Sequence, residues 1–82
     1  MDTKTFIEIS TALINRRFYD KPTKLEIVWQ CHLLGNKKAI LIDLDPSNNF
    51  LYEVTYNGAK DEFYLDKYDK TENVRVTSSE EK

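Results

Sequence analysis

Apolar residues recur at helical spacing in the first part of the chain. Over residues 2–19, one half of a helical wheel is apolar except for Ser10 and Arg17, and the other half is polar. Asp2 or Thr5 can cap the start, and the helix ends before Pro22, because the residue preceding a proline avoids the α region. The pattern predicts an amphipathic helix that lies on an apolar surface. Its apolar half contains Phe6, Ile7, Ile9, Leu13, Ile14 and Phe18.

Four runs with the alternation typical of β-strands follow the helix. Turn signals separate them, since Gly35-Asn36 suits a two-residue hairpin turn and Asn57-Gly58 starts another turn. The pattern predicts a meander of four antiparallel strands. The runs are Leu25 to Leu34, Lys38 to Asp43, Phe50 to Tyr56 and Glu62 to Tyr68.

The lengths of the three turns decide which side chains share a face of this sheet. The two-residue turn pairs Trp29 with Ile42, and a five-residue loop before Phe50 pairs Ile42 with Tyr52. A four-residue loop in the third turn pairs Tyr52 with Leu65. All three pairings place large apolar residues on one face. We therefore expect an α+β fold, with an N-terminal amphipathic helix packed on one face of a four-stranded antiparallel meander sheet.

The last run also has a helical interpretation. Residues 61–70 contain good helix formers, and Tyr64, Leu65 and Tyr68 have helical spacing. The strand is favoured because apolar residues alternate along the run and a turn signal precedes it. A C-terminal helix over the free face of the sheet is the alternative. Residues 1–76 are expected to form a single domain, and residues 77–82 a polar tail.

The composition restricts the chain to one small domain. It has 82 residues, of which 40% are apolar and 32% charged, so the core is thin and a large cofactor-dependent enzyme is excluded. Residues 1–41 carry seven Lys or Arg and four Asp or Glu, a net charge of +3, whereas residues 42–82 carry five and ten, a net charge of −5. The single cysteine cannot form an internal disulfide, and no run has the length of a signal peptide or membrane span. We expect a soluble, cytoplasmic protein.

No residue pattern predicts catalysis, a metal site or a cofactor, and we expect a protein that is not an enzyme. Cys31 and His32 are adjacent in a strand and point to opposite faces, which is unsuitable for a nucleophile and its base. Asp43-Leu44-Asp45 resembles the start of a calcium-binding loop, but Asn48 stands where glycine is needed and Val54 where a bidentate carboxylate is needed. This segment is predicted to be a turn, with Cys31 in the core and His32 facing solvent.

The sheet face without the helix is the candidate site, because the chain has no other helix to cover it. A contiguous apolar patch with a polar rim marks a partner site or a dimer interface. The candidate partner-binding residues are Val28, Leu41, Leu51, Glu53, Tyr64 and Asp66.

Nucleic-acid binding is the alternative. The chain has five Tyr, four Phe and one Trp, which can stack on bases. Arg16, Arg17, Lys21 and Lys24 also form a basic cluster near the end of the helix. The register places most of the rings under the helix, however, and the acidic residues on the free face repel phosphate. A protein partner is therefore favoured.

Several stretches resemble a family of short phage and prophage proteins of Gram-positive bacteria, a domain of unknown function. The family has no assigned chemistry, so the resemblance implies no catalytic residue. It implies a protein of the host cytoplasm that binds and inhibits a host protein, such as a nuclease or another nucleic-acid-handling factor of a defence system. The alternative is a nucleic-acid-binding accessory protein of phage replication or transcription. The matching stretches are Ile27-Val28-Trp29, Asn36 to Ala39, Tyr52 to Gly58 and Tyr64 to Tyr68.

Overall fold

A computed structural model describes residues 1–45, 47–48, 50–69 and 74–78. The described residues form one helix and four strands, which pair antiparallel in the order β1-β2-β3-β4. The predicted α+β fold is confirmed, and the last run is a strand rather than a helix. The predicted polar tail lies outside the described residues from residue 79 onward. The elements are α1 (Thr3–Phe18), β1 (Leu25–Leu33), β2 (Asn36–Asp43), β3 (Phe50–Asn57) and β4 (Glu62–Asp69).

Helix α1 contacts the sheet through a narrow line of side chains. Asp2 caps its start, where the Thr5 N–H donates to Asp2 Oδ1 at 2.7 Å. Phe6, Ser10 and Ile14, spaced four residues apart, are completely buried. Ser10 is tolerated there because its hydroxyl donates to the Phe6 carbonyl oxygen at 2.7 Å.

The core lies between α1 and one side of the sheet, which we call the covered face; the other side is the open face. Aromatic rings connect the two layers. The Phe18 and Tyr52 centroids are 5.2 Å apart, and Phe6 stacks on Phe63 at 6.2 Å. Helix α1 therefore packs on the covered face near both of its ends. The buried apolar residues are Phe6, Ile14, Ala39, Leu41, Tyr52, Val54 and Tyr56.

The β1–β2 hairpin differs from the prediction in two ways. Its turn consists of Leu34 and Gly35, whose φ angles of 52° and 83° are typical of a type I′ turn. In addition, Val28 forms a bulge, so that Ile27 and Trp29 lie on opposite faces of the sheet. Trp29 pairs with Ile40 and lies with it on the open face, where Trp29 is 48% exposed. The predicted place of Trp29 in the core is therefore wrong.

Strand β2 is turned over relative to the prediction, because six residues rather than five separate it from β3. Leu41 pairs with Tyr52, and Ile42 pairs with Leu51. Leu41 is therefore completely buried beneath α1, and its predicted position on the free surface is wrong. Ile42, which the predicted register places in the core, lies on the open face.

Strands β3 and β4 present the predicted faces. Val54 pairs with Leu65, and Tyr56 pairs with Phe63. This register is shifted by two residues from the predicted one. Because side chains alternate along a strand, a shift of two leaves each of them on its predicted face.

The two hairpin turns at one end of the sheet touch each other. The Gly58 N–H donates to Asn36 Oδ1 at 3.1 Å. A Cβ atom on Gly58 would overlap the carbonyl oxygen of Gly35. Only glycine at position 58 therefore allows the β1–β2 turn to lie against the β3–β4 turn.

Candidate protein-interaction surface

Alternate side chains of all four strands form the open face, and the strand register arranges them in rows. One row runs from Trp29 through Ile40 to Glu53 and Asp66, and the next contains Ile42, Leu51 and Tyr68. We call Trp29, Ile40, Ile42, Leu51 and Tyr68 the apolar patch. They are neighbours on one face because paired residues in antiparallel strands share a face.

Three aromatic residues of this face are each about half exposed. Trp29, Tyr64 and Tyr68 are exposed by 48%, 48% and 49%, respectively. The Tyr64 hydroxyl donates to the Glu62 carboxylate, and this hydrogen bond together with the charge of Glu62 raises the pKa of Tyr64. The three rings are therefore accessible to a large ligand, and Tyr64 is fixed by a polar contact of its own.

The charged groups of the open face are mostly acidic. Among the described residues it has one ammonium group, that of Lys38, which lies 2.9 Å from Glu53 Oε1; the hydrogen bond and charge of Glu53 raise the pKa of Lys38. Glu53 also stands directly opposite Asp66. The described strands thus place four carboxylates and one ammonium on the same face as the apolar patch, an excess of three negative charges. The carboxylates are those of Glu26, Glu53, Glu62 and Asp66.

The structure brings together four of the six predicted site residues: Leu51, Glu53, Tyr64 and Asp66 all lie on the open face. Val28 is 51% exposed but occupies the bulge at the edge strand. Leu41 is the one residue that the structure removes from the surface. The predicted register missed Trp29, Ile40 and Ile42, which make up most of the apolar patch; it placed Tyr68 correctly on this face but outside the candidate residues. The length of the β2–β3 loop is the signal that could have identified the two isoleucines.

Cys31 and His32 point to opposite sides of β1, as predicted. Cys31 is exposed on the open face, so its predicted burial is wrong. His32 lies on the side of the helix, where its ring meets the edge of Phe6 at 5.9 Å. Its Nδ1 and Nε2 atoms are each 3.1 Å from a neighbour, Lys37 Nζ and Gln30 Oε1, respectively.

A polar cluster on the covered face connects the end of α1 to the sheet. The Tyr52 hydroxyl donates to the Tyr19 hydroxyl at 2.7 Å, which in turn donates to Asp43 Oδ2 at 2.6 Å. Asn48 Nδ2 and the Asp45 N–H also donate to Asp43, at 3.0 and 2.8 Å. The first two of these hydrogen bonds join Tyr19, at the end of α1, to strands β2 and β3.

These contacts explain the ionisation of the cluster. Burial raises the pKa of Asp43, but the hydrogen bonds from Tyr19, Asp45 and Asn48 outweigh it and hold the pKa below its ordinary value of 3.8. Burial and the hydrogen bond to Asp43 raise the pKa of Tyr19. A buried, hydrogen-bonded carboxylate of this kind stabilises the position of the helix end.

A small molecule or a metal ion needs a concave surface or a group of ligating side chains. Across the described residues, the surface has no pocket, and no three His, Cys, Asp or Glu side chains are grouped as ligands for a metal ion. Asp45, at the predicted turn, uses Oδ1 to accept hydrogen bonds from the N–H and the hydroxyl of Ser47, at 3.0 and 2.7 Å. In the described part of the chain, α1 is too short and too polar to cross a membrane.

Comparison with known proteins yields one match. The sequence profile of a family of unknown function, DUF6275, matches residues 3–78. No curated protein and no solved structure matches the chain.

Proposed function

The chain belongs to the DUF6275 family, and we propose that it is a non-enzymatic binding protein whose open face docks on a basic surface of another protein. One observation carries this proposal: a contiguous apolar patch with half-exposed aromatic rings shares the open face with four carboxylates and, among the described residues, one ammonium group. Exposed apolar patches with polar rims mark interaction sites. The excess of negative charge favours a partner of opposite sign.

The phage-like sequence features suggest a more specific version of the proposal. In it, the protein acts in the cytoplasm of a bacterial host and inhibits a host nuclease or another nucleic-acid-handling factor of a defence system. Proteins that bind nucleic acid carry basic surfaces, because they neutralise phosphate groups. An acidic face complements such a surface and blocks it at the same time.

The two kinds of side chain have different tasks in this mechanism. Burial of the apolar patch supplies affinity, at about 25 cal/mol for each Å² of apolar surface removed from water. Trp29 and Tyr68 are the type of residue that anchors such contacts. The carboxylates of Glu26 and Asp66 set orientation and the rate of association more than affinity.

A charge-reversal experiment tests this proposal. A tagged copy captures its partner from a host lysate, and the purified partner is then measured for association rate against Asp66→Lys and Glu26→Lys. We expect slower association, with a weaker dependence on salt, because favourable charge pairs are lost. Glu8→Lys is the matched control, since Glu8 is exposed on α1, away from the open face.

Patch variants complete the test. Trp29→Ala and Tyr68→Ala should increase the dissociation rate at least about tenfold while leaving the circular dichroism spectrum unchanged. If the open-face variants bind as tightly as the parent, or if Glu8→Lys has the same effect as Asp66→Lys, the open face is not the docking surface.

A second candidate, binding of single-stranded nucleic acid, is favoured by one specific observation. Trp29 lies on the open face and joins Tyr64 and Tyr68 as a third ring available for stacking on bases. The four carboxylates oppose this function. A titration of Trp29 fluorescence with oligothymidylate separates the two candidates: quenching that weakens steeply with salt supports nucleic-acid binding, and an unchanged signal supports the protein partner.

A further inference from the structure

We propose that the free edge of β1 pairs with the same edge of a second copy of this chain, so that two four-stranded sheets join into one of eight strands. The pairing is antiparallel and symmetric about Cys31. It uses an edge of the sheet rather than the open face, and it stands independently of the function proposed above.

The two outer edges of the sheet differ in composition. β1 is an outer strand, and no other described strand pairs with its free side. Residues 27–36 contain no Lys, Arg, Asp, Glu or Pro. The opposite edge, β4, carries Glu62, Asp66, Lys67 and Asp69. Natural proteins protect free edges with charges or proline, so β4 has the composition of a solvent edge and β1 has that of a paired one.

The free edge of β1 exposes a regular set of backbone hydrogen-bonding groups. The two-residue turn closes on the pair Leu33 and Asn36, which exchange hydrogen bonds across the hairpin. Because bonded and non-bonded pairs alternate along antiparallel strands, the N–H and C=O groups of His32 and Gln30 point away from β2. The bulge at Val28 ends this regular stretch. Residues 29–33 are therefore the part of the edge that is available for pairing.

Residues 29–33 of one copy are complementary to the same residues of a second copy. A two-fold axis at Cys31 places Gln30 opposite His32 of the second copy, and their outward groups form four backbone hydrogen bonds. On the open face, Trp29 meets Leu33 of the second copy, and these side chains are 48% and 67% exposed in the single chain. Cys31 faces its own copy as a non-bonded pair, with Cα atoms about 4.5 Å apart, which is within the range of a disulfide.

The symmetry has a consequence for the shape of the dimer. A two-fold axis perpendicular to the sheet puts both α1 helices on one side and joins the two open faces on the other. Five residues from each chain make a contact smaller than the roughly 1,200 Å² of a stable interface. The dimer should therefore be weak and dependent on protein concentration.

Thiol cross-linking tests the register. Two variants are made in the Cys31→Ser background, Trp29→Cys and Leu33→Cys, one of them with a tag. When they are mixed with diamide, which accepts the two electrons and two protons that two thiols lose on forming a disulfide, the mixed dimer should exceed either homodimer at least about tenfold. The parent chain should cross-link to itself through Cys31.

A matched control variant distinguishes cross-linking at the β1 edge from cross-linking by random collision of two chains. Thr55→Cys in the same background places the thiol on the open face of β3, away from the edge, and should form little dimer. The proposal is overturned if Thr55→Cys cross-links as fast as the parent, or if the mixed pair forms no faster than its homodimers.

A backbone variant tests the hydrogen bonds themselves. His32→Pro removes an outward N–H without removing a bond to β2, and proline is tolerated on such edges. We expect the dimer dissociation constant, measured by analytical ultracentrifugation, to rise at least about tenfold. His32→Ala retains the N–H and should leave the constant nearly unchanged. A parent chain that stays monomeric at millimolar concentration, or equal constants for the two variants, would overturn the proposal.

Discussion

On the covered face of the sheet, Ala39, Leu41 and Val54 are completely shielded from water, whereas on the open face Trp29 and Tyr68 are each about half exposed. Both faces are built from the same strands and contain large apolar side chains. The difference arises because one 16-residue helix shields one side only. Apolar content alone therefore does not distinguish a residue that stabilises the fold from one that is available to a partner.

The largest expected effect separates two neighbouring residues of β2. Leu41→Ala should lower the free energy of unfolding by about 2–5 kcal/mol, because it leaves a cavity beneath α1. Ile42→Ala, on the open face, should cost less than half as much, since water already reaches that side chain. Urea denaturation measures both. Equal costs would mean that the open face is covered as completely as the other.

The hydrogen bonds of the polar cluster should also contribute to the free energy of unfolding. Asp43→Ala should lower the free energy of unfolding by roughly 1–3 kcal/mol, measured by urea denaturation, because it leaves the partly buried hydroxyl of Tyr19 without its acceptor.

The same carboxylate makes stability dependent on acid. The pKa of Asp43 is lower in the folded chain than its ordinary value of 3.8, so its contribution is present above that pH and is lost as pH falls through the lower, folded pKa. Asp43→Asn removes this group's titration. Its unfolding free energy should fall less steeply below pH 3.8 than that of the parent, and parallel pH profiles would contradict the assignment.

A smaller effect, of opposite sign, is expected at the tip of the β1–β2 hairpin. Leu34 has a left-handed backbone (φ 52°) and is 92% exposed, so it adds strain without burying its side chain. Leu34→Asn creates the Asn-Gly pair that type I′ turns favour and should raise the free energy of unfolding by about 1 kcal/mol. Leu34→Ala, which retains the strain, is the control and should give no such gain.

The smallest effect on stability is expected at Trp29. Trp29→Ala should change the free energy of unfolding by less than about 1 kcal/mol, because the indole is half exposed on the open face. In the parent chain, acrylamide should quench the fluorescence of this tryptophan readily. Strong protection from quenching in the monomer would place Trp29 in the core and make the two faces more alike.

The sequence was sufficient to predict the order and type of the elements, because helical and strand periodicities were strong. The faces of β3 and β4 were also predictable, since an error of two residues in register preserves alternation. Tyr52 and Val54 therefore lie in the core, and Leu51 and Tyr64 on the open face.

The faces of β1 and β2 depended on single-residue details that local propensity does not encode. One additional residue in the β2–β3 loop exchanges Leu41 and Ile42 between the faces. Trp29 and Cys31 stay on the face of the even-numbered β2 residues, as predicted, and therefore lie with them on the open side. The bulge at Val28 has no glycine to mark it, yet it puts Ile27 on the opposite face from Trp29. Tertiary packing, which places Leu41 under α1, decides these positions. Four of the six candidate site residues lie on the open face, but most of the apolar patch was missed.

The contact between the two hairpin turns has a consequence for how related sequences can change in length. Gly58 lies against the backbone of Gly35, so an added residue in either turn would separate turns that now touch. The β2–β3 loop, at the opposite end of the sheet, has no such constraint from this contact. Within the DUF6275 family, insertions and deletions should therefore accumulate between β2 and β3 and in the segment between α1 and β1, while both turns keep a fixed length.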